Sequence, residues 1–94
     1  MATLSDAQIE EHLAAAGEWR RGEHEDIVRE LRFADFAAAI SFVDHVAELA
    51  EQANHHPDIL VHGWNKVRLT LSTHSEGGLT AADFALAGRI EGLL

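Results

Sequence analysis

Residues 35–54 carry the clearest pattern in the chain. Phe36, Ile40, Val43, Ala47 and Ala50 recur at spacings of three and four, which predicts an amphipathic helix with that stripe facing inward. Phe42, Val46, Leu49 and Ala53 widen the apolar surface into a flank that neighbouring helices or a second subunit can cover. Asp44, Glu48 and Glu51 lie toward the polar side. Pro57 disfavours the α region at His56, so the helix is expected to stop near Asn54 or His55.

On either side of this helix the period falls to two. Val67, Leu69, Leu71 and Thr73 alternate strictly with Arg68, Thr70, Ser72 and His74, the pattern of a strand with one apolar face. Ile59-Leu60-Val61 precedes it, and His62-Gly63-Trp64-Asn65-Lys66 supplies a turn with Gly and Asn available for positive φ. Upstream, Ile27, Leu31 and Phe33 share one parity with Arg29 as the exception, while Val28, Glu30 and Arg32 take the other. The polar run Gly22-Glu23-His24-Glu25-Asp26 is expected to turn the chain into that strand from a partner beginning near Glu18.

Two further helices are signalled by their first residues. Ser5 and Gln8 have the spacing of a capping box, ahead of Ile9, Leu13 and Ala16 on one face, with Leu4 and Ile9 placed to staple the entrance and Gly17 to end the helix. Thr80 with Asp83 is the acidic variant of the same device. It precedes a stripe of Phe84, Ala87, Ile90 and Leu94, with Leu86 and Leu93 beside it. The order α-β-β-α-β-β-α predicts an α+β fold over residues 1–94, one domain with helices on one face of a four-stranded, mainly antiparallel sheet.

Composition narrows the function. A chain of 94 residues that is 47% hydrophobic and 24% charged suits one soluble globular domain. At this size only roughly 60–65% of the unfolded chain's surface can be buried, which favours self-association. Seven Lys and Arg against sixteen Asp and Glu give a net charge of −9, which argues against nonspecific binding to nucleic acid or an anionic membrane. No cysteine is present, so thiolate zinc sites, thiol nucleophiles and disulfides are excluded. The segment Met1-Ala2-Thr3-Leu4-Ser5-Asp6 lacks the features of a signal peptide, and no apolar run approaches the ~20 residues of a membrane span, so a cytoplasmic location is expected.

The candidate chemistry lies in seven histidines. His12, His24 and His45 fall in surface contexts. His55-His56-Pro57 stands where the long helix breaks, with Glu51 four residues before His55 and thus on its helix face, placed to orient that ring and favour its protonated form. His74 ends the alternating strand just before a loop, where functional groups commonly sit on a rigid scaffold. A helix cap plus a surface histidine explains the three as simply. A zinc site using His55, His56, His62 and His74 is the sharper rival. Adjacent histidines rarely reach one metal and no HExxH pattern occurs, so no metal is expected. Gly77-Gly78 lacks the lysine of a phosphate-binding loop, and no serine has a nucleophile-elbow context.

Glu51-Gln52-Ala53-Asn54-His55-His56-Pro57, then Asn65-Lys66-Val67, then Thr70-Leu71-Ser72-Thr73-His74 closely resembles the pterin-4a-carbinolamine dehydratase family. Trp19, Phe33-Ala34-Asp35-Phe36 and Gly78-Leu79-Thr80 with Asp83 extend the likeness from about Leu13 onward. Trp64 stands where the family often has tyrosine, and Trp19 is shifted by one residue relative to Gly17.

The resemblance implies conversion of 4a-hydroxytetrahydropterin to quinonoid dihydropterin and water, with no cofactor and no metal. It implies His55 and His74 as the acid and base, and His56 as a catalytic-site residue that mainly binds the pterin. Glu51 becomes an orienting or pterin-binding carboxylate, backbone groups around Ser72 and Thr73 read the pterin edge, and Trp19 lines the pocket. It further implies a homodimer or homotetramer. The family also offers a non-enzymatic alternative, a partner-stabilising, coactivator-like binding module on the same fold.

Overall fold

A computed structural model describes residues 2–94. Helix α1 spans Asp6–Ala14 and strands β1 and β2 span Arg20–Arg21 and Ile27–Arg32; helix α2 spans Phe36–Ala53. Strands β3 and β4 span Asp58–His62 and Lys66–Leu71, a 3-10 turn covers His74–Glu76, and helix α3 spans Ala81–Glu91. Every strand pairing is antiparallel and the order across the sheet is β1-β2-β4-β3. The connection through α2 carries the chain from β2 past the place of β4 to the sheet edge, and the second hairpin then fills the gap.

Register explains the layers. Ile27 pairs with Leu71, Leu31 with Val67, and Ile59 and Val61 with Leu69 and Val67, so one face is continuously apolar and the helices cover it. Val67, Leu69 and Leu71 are fully buried, as strict alternation requires. Arg29 has the parity of the buried residues, and α3 accommodates it: its Nε lies 2.6 Å from Glu91 Oε1, compensating a nearly buried guanidinium.

Both capping boxes form as their spacing requires, Ser5 with Gln8 and Thr80 with Asp83. The stripe on α2 is rotated from the expected one. Ala39, Phe42, Val46 and Ala50 are buried, whereas Phe36 is 54% exposed and Ala47 and Ala53 face solvent. Phe42 and Val46, expected on a flank, are therefore core residues, and the exposed side of α2 begins at Phe36. The broad apolar surface of this helix contains two overlapping stripes, and packing on β4 and α3 selects one. In α3, Leu86, Ala87 and Ile90 are buried with Asp83, while Leu93 and Leu94 lie beyond the helix end and remain exposed.

Two turns depend on glycine. In the β3–β4 hairpin Gly63 and Trp64 have φ of +53° and +59°, so positive φ falls on Trp64 rather than on Asn65. Asn65 is buried and donates its amide to Phe33 O at 2.9 Å. In the β1–β2 turn a Cβ at Gly22 would lie 1.9 Å from Asp26 Oδ1, so any side chain there would have to displace Asp26. No helix among the described residues is long and apolar enough to cross a membrane.

Candidate functional site

The end of α2 determines where its two histidines point. Asn54 adopts the left-handed conformation (φ 48°, ψ 43°), with its N–H on Glu51 O and the N–H of His55 on Ala50 O. This is a Schellman closure, with asparagine at the position that glycine usually takes. The reversal carries His55 off the helix face before Pro57 is reached. Glu51 and His55 therefore do not meet, because the four-residue spacing rule applies only while the helix continues.

His55 instead turns inward to α3. Its Nε2 lies 2.6 Å from Asp83 Oδ1; the imidazole is 15% exposed and the carboxylate fully buried. Asp83 Oδ2 accepts the Thr73 hydroxyl at 2.8 Å and the Thr80 N–H at 2.9 Å. Thr73 Oγ1 also lies 2.9 Å from Thr80 Oγ1. Each hydroxyl has one hydrogen, so the donation from Thr73 to Asp83 requires Thr80 to donate to Thr73. Thr80 Oγ1 in turn accepts from Ala82 N at 3.2 Å. The chain of bonds has one direction and ends on the carboxylate.

With Asp83 as acceptor, the hydrogen of the His55 imidazole resides on Nε2. Its Nδ1 has no hydrogen-bond partner among the described residues. A carboxylate that fixes the tautomer and orientation of an imidazole, leaving the other nitrogen to transfer protons, is the arrangement of acid–base histidines in general.

Thr73 brings the end of the second hairpin to the same carboxylate, and His74 is the next residue. The imidazole of His74 is exposed, at the start of the 3-10 turn, and has no hydrogen bond among the described residues. His55 and the segment bearing His74 are thus tied together by Asp83. His56 belongs to a separate pair: its Nε2 lies 2.5 Å from Glu51 Oε2, with both side chains more than half exposed.

The remaining expected site residues have other partners. Trp19 is 4% exposed within the core cluster, so it forms packing rather than a wall of an open cleft. Ser72 donates its hydroxyl to Glu25 O at 2.8 Å. The main chain of Thr73 bonds to Gly78 and Glu76, and its hydroxyl is committed to Asp83, so Thr73 acts as a support. Asp83 was legible in the sequence only as a helix cap; the missed signal is that a capping carboxylate has a second oxygen to offer. Two grooves of about 230 and 320 Å³ lie on the open face of the sheet, and neither is lined by His55, His56 or His74. Among the described residues, no group of three or more His, Cys, Asp or Glu is placed to hold a metal ion.

Residues 2–93 match the model of the family described as Pterin 4 alpha carbinolamine dehydratase. A relative from Chloroflexus aggregans, named provisionally as a pterin-4-alpha-carbinolamine dehydratase, is 54% identical over 94 residues, covering 100% of this chain and 99% of its own. One from Acidobacterium capsulatum with the same provisional name is 50% identical over the full length of both. Among solved structures, a transcriptional coactivator/pterin dehydratase from Brucella melitensis superposes with a TM-score of 0.91 at 34% identity, covering 97% of each chain. A pterin dehydratase-like RuBisCO assembly factor of the alpha-carboxysome has a TM-score of 0.67 at 30% identity, covering 80% of this chain and 87% of its own.

Proposed function

The chain belongs to the pterin 4 alpha carbinolamine dehydratase family, and from that premise we propose that it converts 4a-hydroxytetrahydropterin to quinonoid dihydropterin and water by histidine acid–base catalysis. The observation that supports this reading most is the contact between His55 Nε2 and the fully buried Asp83 carboxylate at 2.6 Å. Such a carboxylate orients an imidazole for proton transfer.

Hydroxide leaves the 4a carbon poorly, so an acid delivers a proton to its oxygen as the C–O bond breaks. The electron pair of the adjacent ring nitrogen forms the new C=N bond, and the proton on that nitrogen passes to a base. His55 and His74 are the acid–base pair. Each positioned group contributes roughly 10²–10⁴ in rate, or about 3–5 kcal/mol. His56 and Glu51, held as an exposed pair, offer an imidazole and a carboxylate to the polar edge of the pterin. Neither proton transfer calls for a metal or a redox cofactor. A homodimer or homotetramer would cover the exposed Phe36 and Leu60.

A second reading is a non-enzymatic binding module. It is favoured by the coactivator and assembly-factor descriptions of the two related structures, together with the exposed Phe36. Stopped-flow decay of freshly generated 4a-hydroxytetrahydropterin, with and without a chelator, separates the readings. The dehydratase accelerates decay equally in both conditions; the binding module leaves it at the buffer rate.

A further inference from the structure

On the open face of the sheet the side chains stand in three cross-strand rows. The first is Arg20, Val28, Thr70 and Asp58, the second Glu30, Arg68 and Leu60, and the third Arg32, Lys66 and His62. Although the chain has a net charge of −9, four of its seven Lys and Arg lie here: Arg20, Arg32, Lys66 and Arg68.

The cations of the first two rows are already matched. Glu30 accepts Arg20 Nη2 at 2.8 Å on one oxygen and Arg68 Nε and Nη2 at 3.2 Å on the other. The third row contains no carboxylate. Arg32 stands directly opposite Lys66, a pairing that is destabilising for like charges on a sheet, and His62 flanks Lys66 on its other side. Neither the Arg32 nor the Lys66 side chain has an ion pair or hydrogen bond among the described residues. Gly63 leaves room for the Lys66 side chain to lie along the hairpin turn, where the site of a Cβ would be 3.6 Å from Nζ.

These three residues line the groove of about 230 Å³ together with Leu31, Val67 and Glu30, whose two carboxylate oxygens are already engaged by Arg20 and Arg68. That is below the roughly 300 Å³ at which cavities for drug-sized ligands begin, so the groove suits one ionic group rather than a whole cofactor. A guanidinium fork, an ammonium and an imidazole approach from three adjacent strands. A tetrahedral oxyanion offers each a separate oxygen, which a carboxylate with two oxygens does not. A polyanion such as nucleic acid is disfavoured by the overall negative charge.

We propose that the Arg32–Lys66–His62 row binds a phosphate group, either free or as a small phosphomonoester. This site lies at the ends of β3 and β4 remote from His56 and His74, and it is independent of the dehydration chemistry.

The test is a titration of the whole protein with inorganic phosphate at constant pH and ionic strength, followed by ¹H–¹⁵N NMR, with chloride as control. Saturable shifts are expected at Arg32, His62 and Lys66. Arg32→Gln and Lys66→Gln, both at exposed positions, should each weaken binding about tenfold, the scale of a charge-assisted hydrogen bond. Arg20→Gln, whose cation is already matched by Glu30, should leave the affinity within about twofold. Absence of saturation, an equal effect of chloride, or an equal loss in Arg20→Gln would overturn the site. Phenyl phosphate provides the second arm. Tighter binding than phosphate, with a change in Trp64 fluorescence, assigns the site to phosphomonoesters; equal binding assigns it to the free ion.

Discussion

Asp83 meets His55 across 2.6 Å, from the first turn of one helix to the residue just beyond the end of another. The same carboxylate receives Thr73 and the N–H of Thr80, so the start of α3, the end of α2 and the end of the second hairpin share one buried anion. Its substitution is therefore expected to affect chemistry and stability by separable routes. Asp83→Asn keeps the shape and one acceptor oxygen, which the Thr73 hydroxyl and Thr80 N–H claim, so that an amide NH2 faces His55; it should lower dehydration at least tenfold while altering the His55 ring ¹⁵N signals. Asp83→Ala leaves buried donors unanswered and should in addition cost about 1–3 kcal/mol in a denaturant titration.

Glu51 is expected to act on His56 alone. Glu51→Ala should shift the imidazole ¹⁵N and ¹³C resonances of His56 and leave those of His55 in place. Because this pair is exposed, the fold should lose under about 1 kcal/mol. Movement of the His55 signals instead would restore the helix-face pairing that its spacing suggests.

The Glu30 carboxyl is held below the usual carboxylate range, first by its hydrogen bond from Arg20 and then by that from Arg68. A depressed native value means that its contribution to stability is present above the ordinary carboxylate pKa and is lost as pH falls through the native value. In Arg20→Gln the Glu30 side-chain ¹³C titration should move upward toward the ordinary range, by less at high salt because the group is exposed. A titration unchanged by this substitution would contradict the ion-pair origin.

Gly22 is required by space. Gly22→Ala would place a Cβ 1.9 Å from Asp26 Oδ1 and 2.9 Å from Val28 Cγ2. A loss of about 1–3 kcal/mol is expected, as for other overpacked sites. Adding Asp26→Ala should recover part of it, because the nearer obstacle is removed, and thermal unfolding of the two single variants and the double variant measures that coupling.

Much of this architecture is legible in the residues themselves. The alternation from Val67 to Leu71 and the two capping boxes are local devices, and local physics is sufficient to place them. What was less legible depends on contacts distant in sequence. The stripe on α2 was chosen by packing from an apolar surface wide enough for two solutions. Arg29 looked out of place until Glu91 was brought beside it. Helical spacing pairs His55 with Glu51, but Asn54, one residue earlier, leaves the helix through a left-handed conformation and turns His55 to Asp83. The helix break at His55-His56 and the strand end at His74 are visible in the residues, whereas the contact of Asp83 with His55 exists only in three dimensions.

Single-turnover stopped-flow kinetics decide whether an imidazole oriented by Asp83 and the imidazole of His74 move the protons of a dehydration. 4a-Hydroxytetrahydropterin would be mixed with the wild-type protein, His55→Ala, His74→Ala and Asp83→Asn. Decay faster than buffer is expected with the wild type, and a loss of at least roughly tenfold in each variant, the lower part of the range for one positioned acid or base. Wild-type decay at the buffer rate, or variants as fast as the wild type, would contradict it.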